Sequence, residues 1–153
     1  MRRSRGFTLV EVLVALAVVA VALAAGARRF VAQSIAFMYA PGPEPHGEDD
    51  PLDESEAQAV SVAGVRSLEE AVKEAAGLQG LVLRYGRLYG PGTWRKTPGQ
   101  PPAVHVDAAA QVAALAVMRG AAGIYNIADD DGAVATGKAR LELGFDPSFR
   151  LPT

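Results

Sequence analysis

The stretch that decides the fold reads GLVLRYGRLYGPGT and spans residues 80–93. Its first six residues form an apolar run that predicts a buried strand, and the GPGT at its end predicts a turn. An apolar run at 29–39 and the segment GIYNIA at 123–128 predict two more strands. Stretches with helical patterns lie between these strands. This alternation favours an α/β layer fold with parallel strands.

Three helices are predicted around these strands. The first spans 57–76, and Gly77 suits its C-terminal cap. Its apolar positions fall near one helical stripe, formed by Val60, Val65, Leu68 and Val72. The second helix spans 108–119 after Asp107, a residue type suited to an N-cap. The third spans 135–143 and ends at Gly144.

Composition excludes several classes of protein. The chain has 153 residues, a net charge of −2 and no cysteine. Near-balanced charge does not suggest electrostatic binding to nucleic acid, and disulfides and thiolate metal sites are ruled out. Residues 41–56 hold four Pro and seven acidic residues without Lys or Arg, which predicts a solvated loop. The spacing of these acids is not that of a calcium loop, so no metal site is predicted.

The N-terminal segment has the pattern of a membrane element. About 19 residues from position 7 onward are apolar except for Thr8 and Glu11, which is long enough to cross a bilayer. A basic stretch at 2–5 precedes them and favours an orientation with the N-terminus inside. A carboxylate within such a run is costly unless it is paired. The sequence predicts a leader at 1–6 and a transmembrane helix at 7–27.

The same segment, RSRGFTLVEVLVAL, resembles the N-terminus of type IV prepilins and type II secretion pseudopilins. The resemblance implies cleavage after Gly6 by a prepilin peptidase and N-methylation of Phe7. It also implies that Glu11, the fifth mature residue, pairs with the terminal amine of a neighbouring pilin-like subunit. The expected location is the cytoplasmic membrane, single-pass, with the N-terminus inside.

Residues 28–153 are similar to a different family. The segments FVAQS at 30–34, LRYGRLYGPG at 83–92, VHVD at 104–107, GIYNIA at 123–128 and LGFDP at 143–147 resemble NAD-dependent epimerase/dehydratases, the extended short-chain dehydrogenases. Their order and spacing match the second half of that family. The resemblance implies an incomplete, C-terminal half of a Rossmann-like fold behind a single long apolar helix, and NAD or NADP as the family's cofactor.

The family's catalytic positions carry unsuitable residues here. The family binds its dinucleotide at a Gly-rich turn, and this sequence has none. Aligning Glu69 with the Glu that follows the family's Tyr-x-x-x-Lys pair puts Ser61 and Val65 in the Tyr and Lys places. Ile35 falls where the family has a hydroxyl. Ser34, one residue away, is either a displaced hydroxyl or a buried polar residue bonded to backbone. No catalytic residue is therefore assigned, and no cofactor is expected for this chain alone.

Several positions could still contact ligands by analogy with the family. The cofactor-side candidates are Tyr85 and Gly86. The substrate-side candidates are Arg87, Tyr89, Trp94, Arg95 and His105. Each has a structural alternative. Tyr85 and Tyr89 could pack at strand ends, Arg95 could form a solvated pair with Lys96, and His105 could be structural.

Three functions remain open from the sequence. One is a membrane-anchored, truncated epimerase/dehydratase-like protein without independent activity. Another is a pseudopilin-type structural component of a pilus or secretion system. The last is a split oxidoreductase that another chain, carrying the Gly-rich half, completes.

Overall fold

A computed structural model describes residues 25–152. The strands are β1 (Arg29–Ile35), β2 (Gln79–Tyr85), β3 (Arg87–Tyr89), β4 (Ala103–His105) and β5 (Gly123–Ile127). The helices are α1 (Ala59–Glu74), α2 (Val106–Met118) and α3 (Gly137–Leu143). Each strand and helix expected from the sequence in this region is present, with ends shifted by a few residues.

The main sheet has the order β1-β2-β5, and both strand pairs are parallel. Val31 lies opposite Leu81, and Leu83 lies opposite Tyr125. A second, two-stranded sheet pairs β3 with β4, again in parallel. The predicted α/β fold with parallel strands is therefore confirmed. Because all strands point the same way, the loops that follow them gather at one edge.

One face of the main sheet packs against α2 and α3. Its strand residues alternate with those of the opposite face, as the two-residue period of a strand requires. This face carries the largest apolar cluster, which includes Leu81, Leu83, Tyr125, Ile127, Val112 and Leu143, all of them at most 1% exposed. It supplies most of the hydrophobic core.

The other face packs against α1, and here the sequence prediction needs correction. The buried side of α1 consists of Val62, Val65, Glu69 and Val72. Val60 is 67% exposed and Leu68 is 37% exposed, so the predicted stripe is only half right. A carboxylate occupies the place expected for an apolar residue, because a cation on β2 pairs with it.

The start of α2 also differs from the prediction. His105, not Asp107, is the N-cap: its Nδ1 accepts a hydrogen bond from the Asp107 backbone N–H at 3.1 Å. Asp107 lies in the first turn, where a carboxylate favours the helix macrodipole. At the other end of the chain, α3 stops as predicted at Gly144, which adopts a left-handed φ of 79°.

The acidic loop is more structured than its composition suggests. Residues 41–45 are exposed, as predicted for a solvated loop. Leu52, however, is buried with Met38. His46 donates its backbone N–H to the Ala133 carbonyl and accepts from the Ala135 N–H, at 3.0 and 2.8 Å. The second half of the loop is thus held across the carboxyl edge of the sheet.

The predicted leader and most of the predicted transmembrane helix lie outside the described residues, including Gly6, Phe7 and Glu11. Residues 25–27 are described: 25 and 26 form a turn, with Gly26 at a φ of 82°, and residue 27 has no regular secondary structure. The predicted helix therefore does not extend to residue 27. Within residues 25–152, no helix has the length and apolar character that a membrane span requires.

Candidate functional site at the carboxyl edge of the sheet

A pocket of about 640 Å³ opens where the strands of the main sheet end. Its wall is built from the loops after β1 and β5, from the acidic loop and from the region around β3. The side chains that could contact a ligand are Phe37, Tyr39, His46, Arg87, Gln100 and Asp131. The crevice outside the carboxyl ends of parallel strands is where α/β folds place their ligands.

A buried ion pair stands behind this pocket. Arg84 of β2 donates from Nε and Nη2 to the two carboxylate oxygens of Glu69 on α1, at 2.7 and 2.6 Å. Both side chains are under 10% exposed. Ser34 of β1 donates its hydroxyl to Glu69 Oε1 at 2.9 Å. Ser34 is therefore a buried polar residue, as one of the two interpretations held, but its partner is a carboxylate and not backbone.

Tyr39 connects this ion pair to the pocket. Its oxygen accepts a hydrogen bond from Arg84 Nη1 at 2.8 Å, and its hydroxyl donates to Asn126 Oδ1 at 2.7 Å. Burial raises the pKa of Tyr39 above its ordinary value, although the Arg84 guanidinium opposes that shift. The phenol consequently stays protonated at neutral pH. It suits a fixed hydrogen-bonding position better than a general base.

The acidic loop is attached to the same network. Glu48 Oε1 accepts from the Asn126 backbone N–H at 2.9 Å, and the Glu48 carbonyl accepts from Arg84 Nη1 at 3.0 Å. The His46 ring stacks on Tyr39 with centroids 5.1 Å apart. Arg84 thus joins α1, the segment after β1 and the loop that closes one side of the pocket. Sequence reasoning missed this role, because its partners lie 15 to 45 positions away.

Neither of the two cofactor-side candidates is among the residues that line the pocket. Tyr85 points to the α2 face, where its hydroxyl donates to the Ala109 carbonyl at 3.2 Å and burial raises its pKa strongly. Gly86 donates its N–H to the Ile127 carbonyl at 2.9 Å. A Cβ on Gly86 would lie 2.8 Å from the Ala103 carbonyl carbon, so the close approach of β4 requires glycine there. Their cofactor contacts stay a prediction.

Two substrate-side candidates, Tyr89 and His105, come together with a residue that the sequence analysis overlooked. Tyr89 donates its hydroxyl to Asp129 Oδ2 at 2.7 Å, and its ring meets the His105 ring edge-on at 5.1 Å. Burial and the Asp129 carboxylate raise the pKa of Tyr89. Asp129 Oδ1 is buried and has no hydrogen-bond partner among residues 25–152. Sequence analysis could have identified Asp129 as a candidate from its position, because it lies just after β5 at the carboxyl edge of the sheet.

The remaining substrate-side candidates are dispersed. Arg87 lines the pocket: its guanidinium carbon lies 4.3 Å from the centre of the Phe37 ring, and Nη1 donates to the Pro101 carbonyl at 2.8 Å. Trp94 and Arg95 lie on an exposed loop and are not among the pocket-lining residues. Trp94 is completely exposed. Their ligand contacts, too, stay a prediction.

The three residues that the sequence analysis aligned with the family's proton-transfer groups can be located in the structure, while that alignment itself stays a prediction. Ile35 is half-buried at the end of β1, Ser61 is exposed and Val65 is buried on α1. Within residues 25–152, no three His, Cys, Asp or Glu side chains are grouped as a metal site would need. Arg87, Tyr39 and Gln100 present polar groups to this pocket, and His46, which also lines it, lies 3.1 Å from Asp50 between Nδ1 and Oδ2.

Comparison with known proteins matches both parts of the chain. Residues 1–27 match the prokaryotic N-terminal methylation motif. A 3-diazoavenalumate denitrifying reductase from a Streptomyces species is 42% identical over 137 residues, which covers 74% of this chain and 45% of the reductase. The chain therefore spans less than half the length of this relative.

Two solved structures show the same fold. The UDP-glucose 4-epimerase of Thermotoga maritima, solved with UDP-glucose, superposes with a TM-score of 0.72 at 17% identity, over 88% of this chain and 63% of the epimerase. The UDP-glucuronic acid 4-epimerase of Bacillus cereus, in complex with NAD, gives 0.62 at 14% identity, over 80% and 57%. Both resemblances drawn from the sequence are confirmed: a prepilin-type motif precedes an epimerase-like fold.

Proposed function

We propose that this chain is a membrane-anchored, truncated counterpart of the NAD-dependent epimerase/dehydratases, without independent catalytic activity. One observation carries the proposal. The carboxyl-edge pocket is built and braced, whereas the sequence alignment predicts Ile35, Ser61 and Val65 at the positions where the family places its proton-transfer groups. General acid–base catalysis is typically worth about 10²–10⁴ in rate, so their replacement removes much of the chemistry. What remains is a ligand-binding surface.

The second part of the proposal concerns the cofactor. NAD is present in the Bacillus cereus neighbour. Here the sequence has no Gly-rich turn to hold a pyrophosphate. We expect no saturable binding of NAD(H) or NADP(H) in calorimetric titration of the full chain in detergent micelles. A dissociation constant below about 100 μM, near −5.5 kcal/mol, would refute this part and would favour the split oxidoreductase.

The third part concerns the N-terminus. Its prepilin-type motif supports processing between Gly6 and Phe7 and anchoring in the cytoplasmic membrane with the N-terminus inside. Mass spectrometry of the chain made in a host with an active prepilin peptidase should find a methylated Phe7 terminus. A terminus that still begins at Met1 would rule processing out. Replacing Gly6 with a bulky residue is the matched control, since it should leave the leader attached.

Membrane orientation can be tested separately, because the chain has no cysteine. Trp94 is completely exposed, so Trp94→Cys places a single thiol on the surface of the described domain. With the N-terminus inside, an impermeant maleimide should label this thiol from outside the cytoplasmic membrane. Labelling only after the membrane is opened would contradict the orientation.

The split oxidoreductase is the second candidate function. It is favoured by the braced pocket at the carboxyl edge and by the identity to a reductase. Coexpression with a chain that carries a Gly-rich dinucleotide-binding half tests it, and cofactor-dependent turnover by the mixture is the supporting outcome. The pseudopilin alternative rests on the motif alone. Incorporation of the chain into a pilus or secretion assembly, with Glu11 required, would support it.

A further inference from the structure

The chain has two histidines, and their ring nitrogens have opposite roles. His46 Nδ1 lies 3.1 Å from Asp50 Oδ2. An ionised carboxylate can only accept hydrogen bonds, so Nδ1 carries the proton and Nε2 of the neutral ring carries the lone pair. In His105, Nδ1 accepts from the Asp107 backbone N–H at 3.1 Å, so the proton of that ring is on Nε2. Of the two, only His46 therefore has a lone pair on Nε2.

His46 Nε2 is also the nitrogen that can reach a ligand. The His46 side chain lines the carboxyl-edge pocket. Nε2 makes no hydrogen bond in the described part of the chain, where the buried side-chain atoms without a partner belong to Gln111 and Asp129. In contrast, a Cβ on Gly90 would lie 2.7 Å from His105 Nε2, so the backbone shields that nitrogen. The free acceptor in the pocket is thus His46 Nε2.

Two contacts fix the orientation of the His46 ring. The ring stacks on Tyr39, with centroids 5.1 Å apart and planes 10° apart. The Gly47 backbone N–H donates to the same oxygen of Asp50 that His46 faces, at 3.1 Å, and holds the carboxylate in place. An acceptor that is already oriented loses little conformational freedom when a ligand binds.

Arg87 supplies a positive charge in the same pocket. Its guanidinium lies over the Phe37 ring, and only its Nη1 is used, in the hydrogen bond to the Pro101 carbonyl. None of the ion pairs within residues 25–152 includes Arg87. Its Nε and Nη2 are therefore available to a ligand, and a guanidinium binds a carboxylate by charge-assisted hydrogen bonds.

The acidic side chains of the pocket do not cancel this charge. Asp131 uses both of its oxygens, which accept from the Ala103 and Ala133 backbone N–H groups at 2.8 and 3.1 Å. Glu44 is exposed at the rim, where water screens its charge. Arg87 is the only Lys or Arg among the residues that line the pocket. A ligand anion would consequently bind at Arg87.

Much of the remaining wall is apolar and rich in flat rings, which suit a planar ligand: Phe37, Pro41, Pro101, Pro102 and Val134. The volume of about 640 Å³ lies within the range of small-molecule sites, about 300–1,000 Å³. We propose that this pocket binds an aromatic hydroxy acid, whose hydroxyl donates to His46 Nε2 and whose carboxylate accepts from Arg87. The inference rests on the ligand-binding role proposed above and adds the class of ligand.

Chemical labelling tests the state of the two histidines. Diethyl pyrocarbonate acylates an accessible, unprotonated imidazole nitrogen, and peptide mass spectrometry locates the product. In the full chain in detergent micelles, His46 should react faster than His105, and 4-hydroxycinnamate should protect His46. Equal rates at the two histidines would overturn the assignment of the free lone pair. Labelling of His46 that 4-hydroxycinnamate does not slow would overturn the site.

Binding of paired ligands tests the two contacts separately. Calorimetric titration of the full chain should show a preference of about tenfold for 4-hydroxycinnamate over cinnamate, which lacks the hydroxyl. His46→Phe keeps a ring against Tyr39 without the nitrogens, so it should bind both ligands equally. Arg87→Gln should weaken both by about tenfold. Arg95→Gln is the matched control and should change neither, because Arg95 is exposed and does not line the pocket.

The preference is compared within one detergent, so uptake of the ligands by micelles does not imitate it. A wild-type chain without saturable binding, or a His46→Phe variant that keeps the preference, would refute the proposal. Asp50→Ala should also reduce the preference, since the ring loses the group that fixes its proton, whereas Asp49→Ala at the exposed neighbouring position should not. An equal preference in these two variants would contradict the positioning role of Asp50.

Cofactor titration is a separate measurement. Saturable binding of NAD(H) would refute the proposed lack of a cofactor and leave the preference for 4-hydroxycinnamate unchanged. Loss of that preference would refute the ligand class and leave the proposed inactivity standing.

Discussion

The two faces of the main sheet differ in what they are made of and in what they do. On the α2 face, Leu81, Leu83 and Ile127 are fully buried in a continuous apolar cluster. On the α1 face, Arg84, the residue after Leu83 in β2, points to the opposite side of the sheet and pairs with Glu69. Burial of apolar area, about 25 cal/mol per Å², stabilises the first face. The second face carries smaller apolar clusters around a buried ion pair, which is tolerated because each of its polar groups has a partner.

This contrast explains how the pocket at the carboxyl edge keeps its shape. The polar face ends at Tyr39 and Asn126, whose hydrogen bonds hold the acidic loop over the carboxyl edge. The shape of the pocket therefore depends on the Arg84 network. Val65 and Ile35 take no part in that network; they belong to the apolar cluster that packs α1 against Met38 and Leu52.

The largest expected effect comes from opening the ion pair. Glu69→Ala leaves the Arg84 guanidinium buried without a counter-charge, which typically costs about 3–5 kcal/mol. Urea unfolding of the full chain in micelles, followed by circular dichroism, measures this loss. Glu70→Ala is the matched control, because Glu70 is exposed on the same helix and its removal should change stability by less than about 0.5 kcal/mol. Equal stabilities of the two variants would mean that the polar face is not held by this pair.

Replacing both residues of the Glu69–Arg84 ion pair separates its effect on stability from its effect on the pocket. Combining Glu69→Leu with Arg84→Met should recover much of the stability lost by Glu69→Ala, since apolar replacement of a buried pair is often neutral. The pocket, however, should lose its bracing, because Glu48 and Tyr39 both depend on Arg84. Protease cleavage within residues 41–52 should then increase while global stability is kept.

The next largest loss of stability is expected for a substitution on the apolar face. Leu83→Ala should cost about 3 kcal/mol through lost burial and a residual cavity, because Leu83 is only 1% exposed. Leu141→Ala removes the same atoms at an 86% exposed position and should be nearly neutral. Unlike the polar variants, Leu83→Ala should leave cleavage of the acidic loop unchanged. Enhanced cleavage of that loop would show that the two faces are not independent.

A smaller effect is expected for single hydroxyl groups. Tyr39→Phe removes the link between Arg84 and Asn126, and we expect a loss of about 1–2 kcal/mol. Tyr85→Phe removes one hydrogen bond of 3.2 Å to the Ala109 carbonyl and should cost less. Thermal unfolding of the two variants compares them. If Tyr85→Phe lost more stability than Tyr39→Phe, the hydrogen bonds of the Arg84 network would not be worth more than the isolated hydrogen bond of Tyr85.

The smallest effect is a change in alkaline stability. Burial raises the pKa of Tyr39 above its ordinary value of 10.0. The folded state therefore holds this proton more tightly than the unfolded state, and stability present below pH 10 is lost as the pH rises through the folded pKa. In Tyr39→Phe, stability should fall less steeply above pH 10 than in the wild type. The measurement is the free energy of unfolding of both proteins at a series of pH values. If the two plots of stability against pH ran parallel above pH 10, the raised pKa of Tyr39 would be contradicted.

The sequence by itself determined the order of the elements and the parallel sheet. Short apolar runs such as those at 80–85 and 123–128 have the length and bounding glycines of buried strands, and helical patterns between them require parallel crossovers. Gly144 marked a helix end because its left-handed conformation suits glycine. The prepilin-type motif at 1–27 was likewise readable, since it is a contiguous pattern.

Only the tertiary structure decided which sides of these elements are buried and what the pocket contains. Local periodicity placed Leu68 on the buried stripe of α1. It did not reveal that Glu69 is buried instead, because the cation that neutralises Glu69 lies 15 residues away on another strand. The same limit hid Tyr39, Glu48 and Asp129, whose partners are distant in sequence. Whether a segment forms a strand or a helix depends largely on residues nearby in the sequence. A buried charge, in contrast, is tolerated only when a counter-charge from a distant part of the chain lies next to it in the fold.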